Sequence, residues 1–176
     1  MVLASCGYML HPLLQELRRQ GIPFHNPWRP HAGAWNPLTP RHGVSMAQRM
    51  CALLHYHSEG YWTPRDIQQF VPPLRATGVF RPGMKTQALL WHAQQMTLAD
   101  VDHALREVFL PEPLTALREL DPSRLLAWWV EHVPSAEQER ALYPLAIYRR
   151  YGLDGLLNVP ALTVGTYTSV KGGEAE

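Results

Sequence analysis

The sequence has few cysteines and no long hydrophobic run. Only Cys6 and Cys51 occur among 176 residues. They cannot supply a framework of disulfides, and this usage is typical of proteins from a reducing cytoplasm. No apolar run approaches the length of a bilayer span, and no segment has the pattern of a signal peptide. We therefore expect a cytoplasmic protein.

The sequence also lacks an excess of charge of either sign. Its 16 Lys and Arg residues against 15 Asp and Glu residues leave a formal net charge of +1. This balance argues against a strongly basic cradle for nucleic acid in the chain taken alone. Because 46% of the residues are hydrophobic and 18% are charged, the chain can bury a core and is not of the disordered type.

The phosphate-binding loop of ATP hydrolases is missing. Such enzymes need the pattern G-x-x-x-x-G-K-[ST] after a strand, with an acidic pair for magnesium and water. The nearest approach is residues 78–86, GVFRPGMKT, where Met84 precedes Lys85 and shifts the lysine and threonine out of register. We interpret this segment as a turn leading into a helix. The chain alone is therefore not expected to hydrolyse ATP.

Sixteen prolines divide the chain into short elements, and the first group reads as strand, helix, strand. Val2–Ser5 and Ile22–His25 have the composition of strands. His11–Gln20 between them has a helical apolar stripe, with Pro12 in its first turn and Gly21 after its end. A unit of this length predicts a parallel pair of strands joined by a right-handed crossover.

The character of the sequence changes after the second strand. Residues 26–43 are rich in proline and predict a structured loop, anchored by Trp28 and Trp35. Residues 44–157 then show only helical periodicity. No internal repeat interrupts this helical stretch.

Several helix boundaries in this stretch are marked by capping residues. Thr63, Thr97 and Asp121 stand at predicted N-caps. A modest helix is predicted over Thr86–Gln95. Pro144 should kink or split the last long helix, because proline lacks an N–H and clashes with the preceding turn.

The last fourteen residues place polar groups closely after a strand. Ala161–Thr166 is β-branched and apolar enough for a buried strand. We expect a small-residue turn to follow it. The closely spaced polar side chains of that turn are those of Thr166, Thr168, Ser169, Lys171 and Glu174. Hydroxyls, an ammonium group and backbone N–H groups at a strand end suit phosphates.

The same stretch resembles a helicase motif. Residues 165–174, GTYTSVKGGE, are similar to motif V of superfamily 1 DNA helicases of the UvrD/Rep/PcrA type, G-T-[hydrophobic]-H-S-x-K-G-x-E. Residues 2–10, VLASCGYML, and 21–29, GIPFHNPWR, resemble the segment that follows motif IV in the second motor domain of these enzymes. Residues 151–160, YGLDGLLNVP, resemble the approach to motif V. The three matches occur in the family's order and cover a minority of the chain.

The order of elements by itself predicts a mainly helical α+β fold. Both chain ends form a small parallel sheet, and a large all-α insertion separates them. The resemblance implies that the sheet is part of a RecA-like motor domain, called 2A. Residues 1–35 would be its N-terminal part, residues 36–157 a helical accessory domain called 2B, and residues 158–176 the return strand with motif V.

The resemblance also implies a function. The chain would be a fragment of an ATP-dependent DNA helicase, contributing DNA binding and regulation of unwinding. The cofactors of the parent enzyme would be ATP and Mg²⁺. Its partners would be single-stranded DNA, a duplex junction and the rest of the motor.

Individual roles follow from the position of each residue in the motif. The resemblance implies nucleotide-binding roles in the parent enzyme for Lys171, Gly172 and Glu174. It implies DNA-binding roles for Thr166, Thr168 and Ser169. Thr168 stands where the family usually has histidine, and threonine can bond to phosphate but cannot stack or titrate.

A metal-dependent enzyme is a further hypothesis, since there are nine histidines. Cys51 and His55 are spaced i, i+4 on one helix face, and His57 is close by. A structural zinc site needs four ligands, and no second pair has suitable spacing. We interpret Cys51 as a core residue and expect no metal.

The alternative to a helicase fragment is a free-standing helical adaptor that binds protein or DNA without catalysis. Its tryptophans are candidates for base-stacking platforms. Trp91 and Trp128 are predicted to be core residues. Trp62, next to a helix start, could offer a surface contact.

Overall fold

The computed structural model describes residues 1–30, 32–39, 43–90 and 97–173. In this part of the chain the fold is mainly helical, with one small parallel sheet. The strands are β1 (Val2–Ala4), β2 (Phe24–His25) and β3 (Leu162–Thr166). The helices are α1 (His11–Arg19), α2 (Met46–Glu59), α3 (Pro64–Phe70), α4 (Lys85–Leu90), α5 (Leu98–Val108), α6 (Pro111–Glu119), α7 (Pro122–His132), α8 (Ser135–Tyr151), α9 (Asp154–Leu157) and α10 (Tyr167–Gly173).

The two ends of the chain form the sheet together. Its strand order is β1-β3-β2, and both pairings are parallel. Leu3 lies opposite Gly165, and Phe24 lies opposite Leu162. This confirms the predicted α+β class, mainly helical with a small parallel sheet.

The direct pairing predicted for the first two strands is wrong, because β3 lies between them. Val164 is fully buried and Thr166 nearly so, whereas Val2 in β1 is exposed. A central strand is buried on both faces, so the more buried and longer segment takes the centre. Strand order depends on contacts remote in sequence, which local patterns do not report.

The chain divides into two compact units, residues 1–47 with 143–176, and residues 48–142. The first contains the sheet. Its core includes Leu14 and Leu17 of α1, Phe24 of β2 and Ile147 of α8. The Tyr143 hydroxyl donates to the Ile22 carbonyl at 3.0 Å, and burial raises the pKa of that hydroxyl far above its usual range. Tyr143 therefore ties α8 to the beginning of β2.

The second unit is built from helices, and its described residues add one isolated antiparallel bridge between Phe80 and Phe109. Two buried indoles anchor its core. Trp129 donates to the Phe70 carbonyl and Trp62 donates to the Leu53 carbonyl, each at 2.9 Å. These bonds satisfy the only polar atom of each indole while its rings are buried.

Local capping signals place helices α3 and α5 where the sequence predicts them. Thr63 with Asp66, and Thr97 with Asp100, form reciprocal capping boxes. The Asp121 carboxylate likewise accepts from the Arg124 N–H at the start of α7. Of the helix predicted over Thr86–Gln95, residues 91–95 lie outside the described residues.

Helix α8 continues through Pro144, so of the two outcomes predicted there, a kink or a split, the split is wrong. Tyr143, Leu145 and Ile147 are all buried. Burial of apolar side chains on both sides of the proline stabilises the helix and offsets the lost hydrogen bond. Within the described ranges no helix is long and apolar enough to cross a membrane.

Candidate functional site at the carboxyl ends of the strands

The carboxyl ends of the three strands lie on one edge of the sheet, since all are parallel. Open parallel sheets bind ligands outside this edge. The segments that leave it are the turn after Ala4, the loop that begins at Asn26, and α10, which begins directly after Thr166. The turn predicted after β3 is therefore a helix. Its first residues carry the polar side chains singled out in the sequence.

Thr166 and Ser169 bond to each other at the junction of β3 and α10. The Thr166 N–H donates to Ser169 Oγ at 3.0 Å, and the Ser169 N–H donates to Thr166 Oγ1 at 3.2 Å. Ser169 Oγ also donates to the Thr166 carbonyl at 2.7 Å. Both residues are buried. They satisfy backbone groups at the helix start, as a capping box does.

Thr168 and Lys171 are the exposed polar residues of α10 among those predicted to bind ligands. Gly172 lies in the last turn of α10, and Glu174 lies outside the described residues. The predicted set thus separates into an inward pair, Thr166 and Ser169, and an outward pair. The outward pair offers a hydroxyl and an ammonium group to an anion.

Gly165 allows three groups to approach the end of β3 closely. A Cβ atom at this position would lie 3.2 Å from Ser169 Oγ, 3.3 Å from the Trp28 ring and 3.4 Å from Asn26 Nδ2. These separations are tighter than ordinary van der Waals contact. Glycine at 165 thus lets the loop after β2 pack against the start of α10.

Asn26 and Asn36 organise that loop, and sequence analysis missed both. Asn26 Oδ1 accepts from the N–H groups of Trp28 and Arg29 at 3.0 and 3.1 Å. Asn36 Oδ1 accepts from the Asn26 N–H at 2.8 Å, and Asn36 Nδ2 donates to the Arg29 carbonyl at 2.7 Å. The available signal was Asn-Pro at 26–27 and again at 36–37, because asparagine before proline favours such turns.

Asn26 also carries an unmatched donor. Its Nδ2 is buried and has no hydrogen-bond partner within the described residues. The residue is 1% exposed, so this donor faces the interior beside Gly165. It is part of the packing under the edge, whereas Thr168, Lys171 and Arg29 are exposed.

In the segment that resembles a phosphate-binding loop, residues 78–86, the lysine binds backbone carbonyl groups. Lys85 Nζ donates to the carbonyls of Pro72 and Leu74 at 3.0 and 2.5 Å. Partial burial lowers the pKa of this ammonium group. Since α4 begins at Lys85, the interpretation as a turn leading into a helix is confirmed. The lysine is engaged by backbone oxygens and does not fit an ATP–Mg²⁺ site.

The cluster of Cys51, His55 and His57 forms no ligand set. His55 Nδ1 lies 2.8 Å from Asp66 Oδ2, and burial raises the pKa of the Cys51 thiol to about 11. A high pKa opposes the thiolate that metals require. No group of three or more His, Cys, Asp and Glu residues suited to a metal occurs in the described ranges.

Two tryptophans, Trp62 and Trp128, differ in burial from what the sequence predicts. Trp62 is buried, so the predicted surface contact is wrong. Trp128 is half-buried and stacks on His132 with ring centroids 4.1 Å apart. Trp91 lies outside the described residues. Trp62 is a core residue because its rings contact Tyr56 of α2 and Phe70 of α3.

Comparison of the chain with protein-family models, with curated proteins and with solved structures gave no match.

Proposed function

We propose that the chain is part of a UvrD-like, ATP-dependent DNA helicase. In this proposal the sheet belongs to motor domain 2A, and the helical unit 48–142 belongs to the accessory domain 2B. The chain contributes DNA binding and regulation of unwinding to the parent enzyme. ATP and Mg²⁺ bind largely to parts of the motor outside this chain, because the described residues provide no phosphate-binding loop.

One observation carries the proposal, the parallel pairing of β1 with β3. The resemblance requires the segment after motif IV and the motif V strand to be neighbours in one sheet. In the structure, Val2 lies opposite Val164 and Ala4 lies opposite Thr166. Nothing in the local sequence forces strands from opposite chain ends to pair in this way. The alternative function, a free-standing helical adaptor, does not require a sheet formed by both chain ends.

The geometry refines the roles within the motif. Thr168 and Lys171 are exposed, so they are the residues that contact the DNA backbone or a nucleotide phosphate. Thr166 and Ser169 hold the start of α10 and position this pair. Glu174 and Gly172 keep the nucleotide-binding roles implied by the resemblance. With Thr168 in place of histidine, the contact to DNA is a hydrogen bond without stacking.

Fluorescence anisotropy with a labelled single-stranded oligonucleotide tests the proposal. The chain should bind it with an affinity that falls as salt rises. The Lys171→Gln variant should bind more weakly at every sequence, and the magnitude of the log–log salt slope should fall by about 1. Arg149→Gln is the matched control, because it removes one exposed positive charge from α8, outside the stretch that resembles motif V.

Two outcomes would overturn the proposal. One is equal loss of binding in both variants, which would indicate a diffuse effect of net charge. The other is binding of the wild-type chain that does not depend on Thr168 or Lys171. The proposal also assigns ATP hydrolysis to parts of the enzyme outside this chain. A rate of ATP hydrolysis by the purified chain above that of a protein-free blank would refute this assignment.

A further inference from the structure

Three segments leave the carboxyl edge of the sheet, and they pack together. They are residues 5–10 after β1, the loop after β2 (residues 26–30 and 32–39), and α10. A Cβ atom at Gly165 would lie 3.3 Å from the Trp28 ring, and a Cβ atom at Gly7 would lie 3.4 Å from the Trp35 ring. The loop therefore contacts both the segment after β1 and the end of β3 from which α10 starts. We call the exposed side of these three segments the strand-end surface.

Hydrogen bonds within the loop fix the position of the two tryptophans. Asn26 Oδ1 accepts from the Trp28 N–H at 3.0 Å, and Asn36 Oδ1 accepts from the Asn26 N–H at 2.8 Å. Trp28 and Trp35 are both half-buried. The strand-end surface is thus ordered before any ligand arrives, and binding to it costs little further loss of conformational freedom.

The strand-end surface carries positive charge without a carboxylate. Arg29 and Lys171 are exposed, and the described residues of the three segments include no Asp or Glu. The ion pairs found among the described residues involve neither of these two cations. Because the whole chain has a formal net charge of only +1, this is a local excess of positive charge. Such a surface attracts a polyanion.

Exposed aromatic rings are concentrated on the same surface. In the part of the chain that the structure describes, the exposed aromatic side chains are Tyr8, Tyr151 and Tyr167. Tyr8, which is 72% exposed, belongs to the segment after β1, and Tyr167, which is 55% exposed, is the first residue of α10. Tyr167 and Lys171 are four residues apart, so the ring and the ammonium group lie on one helix face. Proteins that bind single-stranded nucleic acid combine aromatic rings for the bases with cations for the phosphates.

We propose that the strand-end surface holds single-stranded DNA by stacking unpaired bases on Tyr8 and Tyr167. Arg29 and Lys171 contact phosphates of the same strand. Bases in a duplex are already stacked on one another, so duplex DNA offers these tyrosines no free base. The inference rests on the proposed function for the identity of the polymer, and it adds the side chains that contact the bases.

Binding of two labelled oligonucleotides by the full chain tests the stacking. One is an oligothymidylate, and the other has the same length and backbone but no bases. The wild type should bind the first more tightly. Tyr8→Leu and Tyr167→Leu should each reduce this preference by about fivefold to 150-fold, the effect of losing one stacked base. The affinity for the base-free strand should stay unchanged, because both variants keep the cations.

Conservative and matched variants separate stacking from other effects. Tyr8→Phe and Tyr167→Phe keep the ring and should retain the preference for oligothymidylate. Tyr151→Leu is the matched control, because Tyr151 is exposed but lines a groove with Pro23 and Leu162, at the amino ends of β2 and β3. It should leave both affinities unchanged. Thermal unfolding checks that each variant is folded, and if one tyrosine variant does not fold, the other decides the question.

The outcomes distinguish this inference from the proposed function. Equal affinity of the wild type for the two strands, or an equal loss in Tyr151→Leu, would overturn the stacking. The proposed function would still stand if Lys171→Gln weakened binding of both strands. A preference that requires the tyrosines but not Lys171 would support the stacking and overturn the role proposed for the motif. Failure of the wild type to bind either strand would overturn both.

Discussion

Thr166 and Ser169 show that polar residues at a strand end can have a structural role. Each hydroxyl is bonded to the backbone of the other residue, and both side chains are buried. A polar motif at a strand end therefore has two layers. The inner layer fixes the direction in which α10 leaves the sheet, and the outer layer, Thr168 and Lys171, faces solvent.

The Ser169→Ala variant should lose about 1–2 kcal/mol of unfolding free energy, because it removes a cap and leaves the buried Thr166 N–H unsatisfied. Urea denaturation gives this value. Thr168→Ala is the control, and its effect should stay within about 0.5 kcal/mol, since the residue is exposed. Equal effects of the two substitutions would contradict the inward role of Ser169.

Gly21 lies in the turn after α1, at a point where the backbone of α8 comes very close. Its φ is +63°, and a Cβ atom would lie 2.6 Å from the Ala146 carbonyl carbon. Gly21→Ala should therefore destabilise the protein by about 3 kcal/mol or more, from left-handed strain together with overpacking.

Gly152→Ala is the matched control for that substitution. Its φ is +66° and nothing lies within 4 Å of the added Cβ, so only the strain of about 1–2 kcal/mol applies. Thermal or urea unfolding compares the two variants. Similar losses would mean that the approach of Ala146 is unimportant.

At the scale of elements, local chemistry predicted most helix starts. The capping boxes at Thr63 and Thr97 each involve two residues that are three positions apart. The residues that predict the helix start therefore all lie within its first turn. The same kind of signal at Thr166 was missed, because Gly172 and Gly173 suggested a turn. Continuity through Pro144 also could not be predicted, since it depends on burial of the side chains around it.

The candidate site was predictable to a similar degree. The motif located the polar residues at the end of β3, but their division into buried and exposed pairs depends on how α10 packs. The Asn26–Asn36 network joins residues ten apart in an irregular loop. Such an arrangement has no local signature in the sequence.

Low pH should reduce the stability of the first turn of α5. The Asp100 carboxylate accepts from the Thr97 hydroxyl and N–H at 2.6 and 2.9 Å, and these bonds hold the pKa of Asp100 below its usual range. A lowered pKa in the folded state means that the stabilisation is present above the ordinary value near 3.8. This stabilisation is lost as the pH falls through the lower pKa that Asp100 has in the folded state.

Substitution of Thr97 by alanine tests the predicted direction of this pH dependence of stability. The difference in Tm between wild type and Thr97→Ala should shrink as the pH falls below about 4, and Thr97→Ser should retain the wild-type profile because it keeps the hydroxyl. Amide NMR of Thr97 across the same pH range reports the bond directly. A constant difference at all pH values would exclude the carboxylate as its source.

At the scale of the whole molecule, β3 is the element on which the sheet depends. Both β1 and β2 pair with β3, and they do not pair with each other. A chain that ends at Pro160 should therefore leave both N-terminal strands without a partner. Hydrogen exchange at Leu3 and Phe24 should become fast, as in an unfolded segment.

A chain that ends at Gly173 is the control for this truncation, because it keeps β3 and α10. Its exchange rates at Leu3 and Phe24 should match those of the full chain. Persistent protection at these two residues in the shorter chain would mean that the N-terminal strands are stabilised by contacts other than β3.

The strand order also has a consequence for biosynthesis. A ribosome releases β1 and β2 well before β3, which pairs between them, because residues 26–161 lie between β2 and β3. Until then the nascent N-terminal portion carries open strand edges that invite association with other chains. Helices formed from neighbouring residues can mature during this interval. Chaperone contact with β1 and β2 before β3 emerges would thus protect the incomplete sheet.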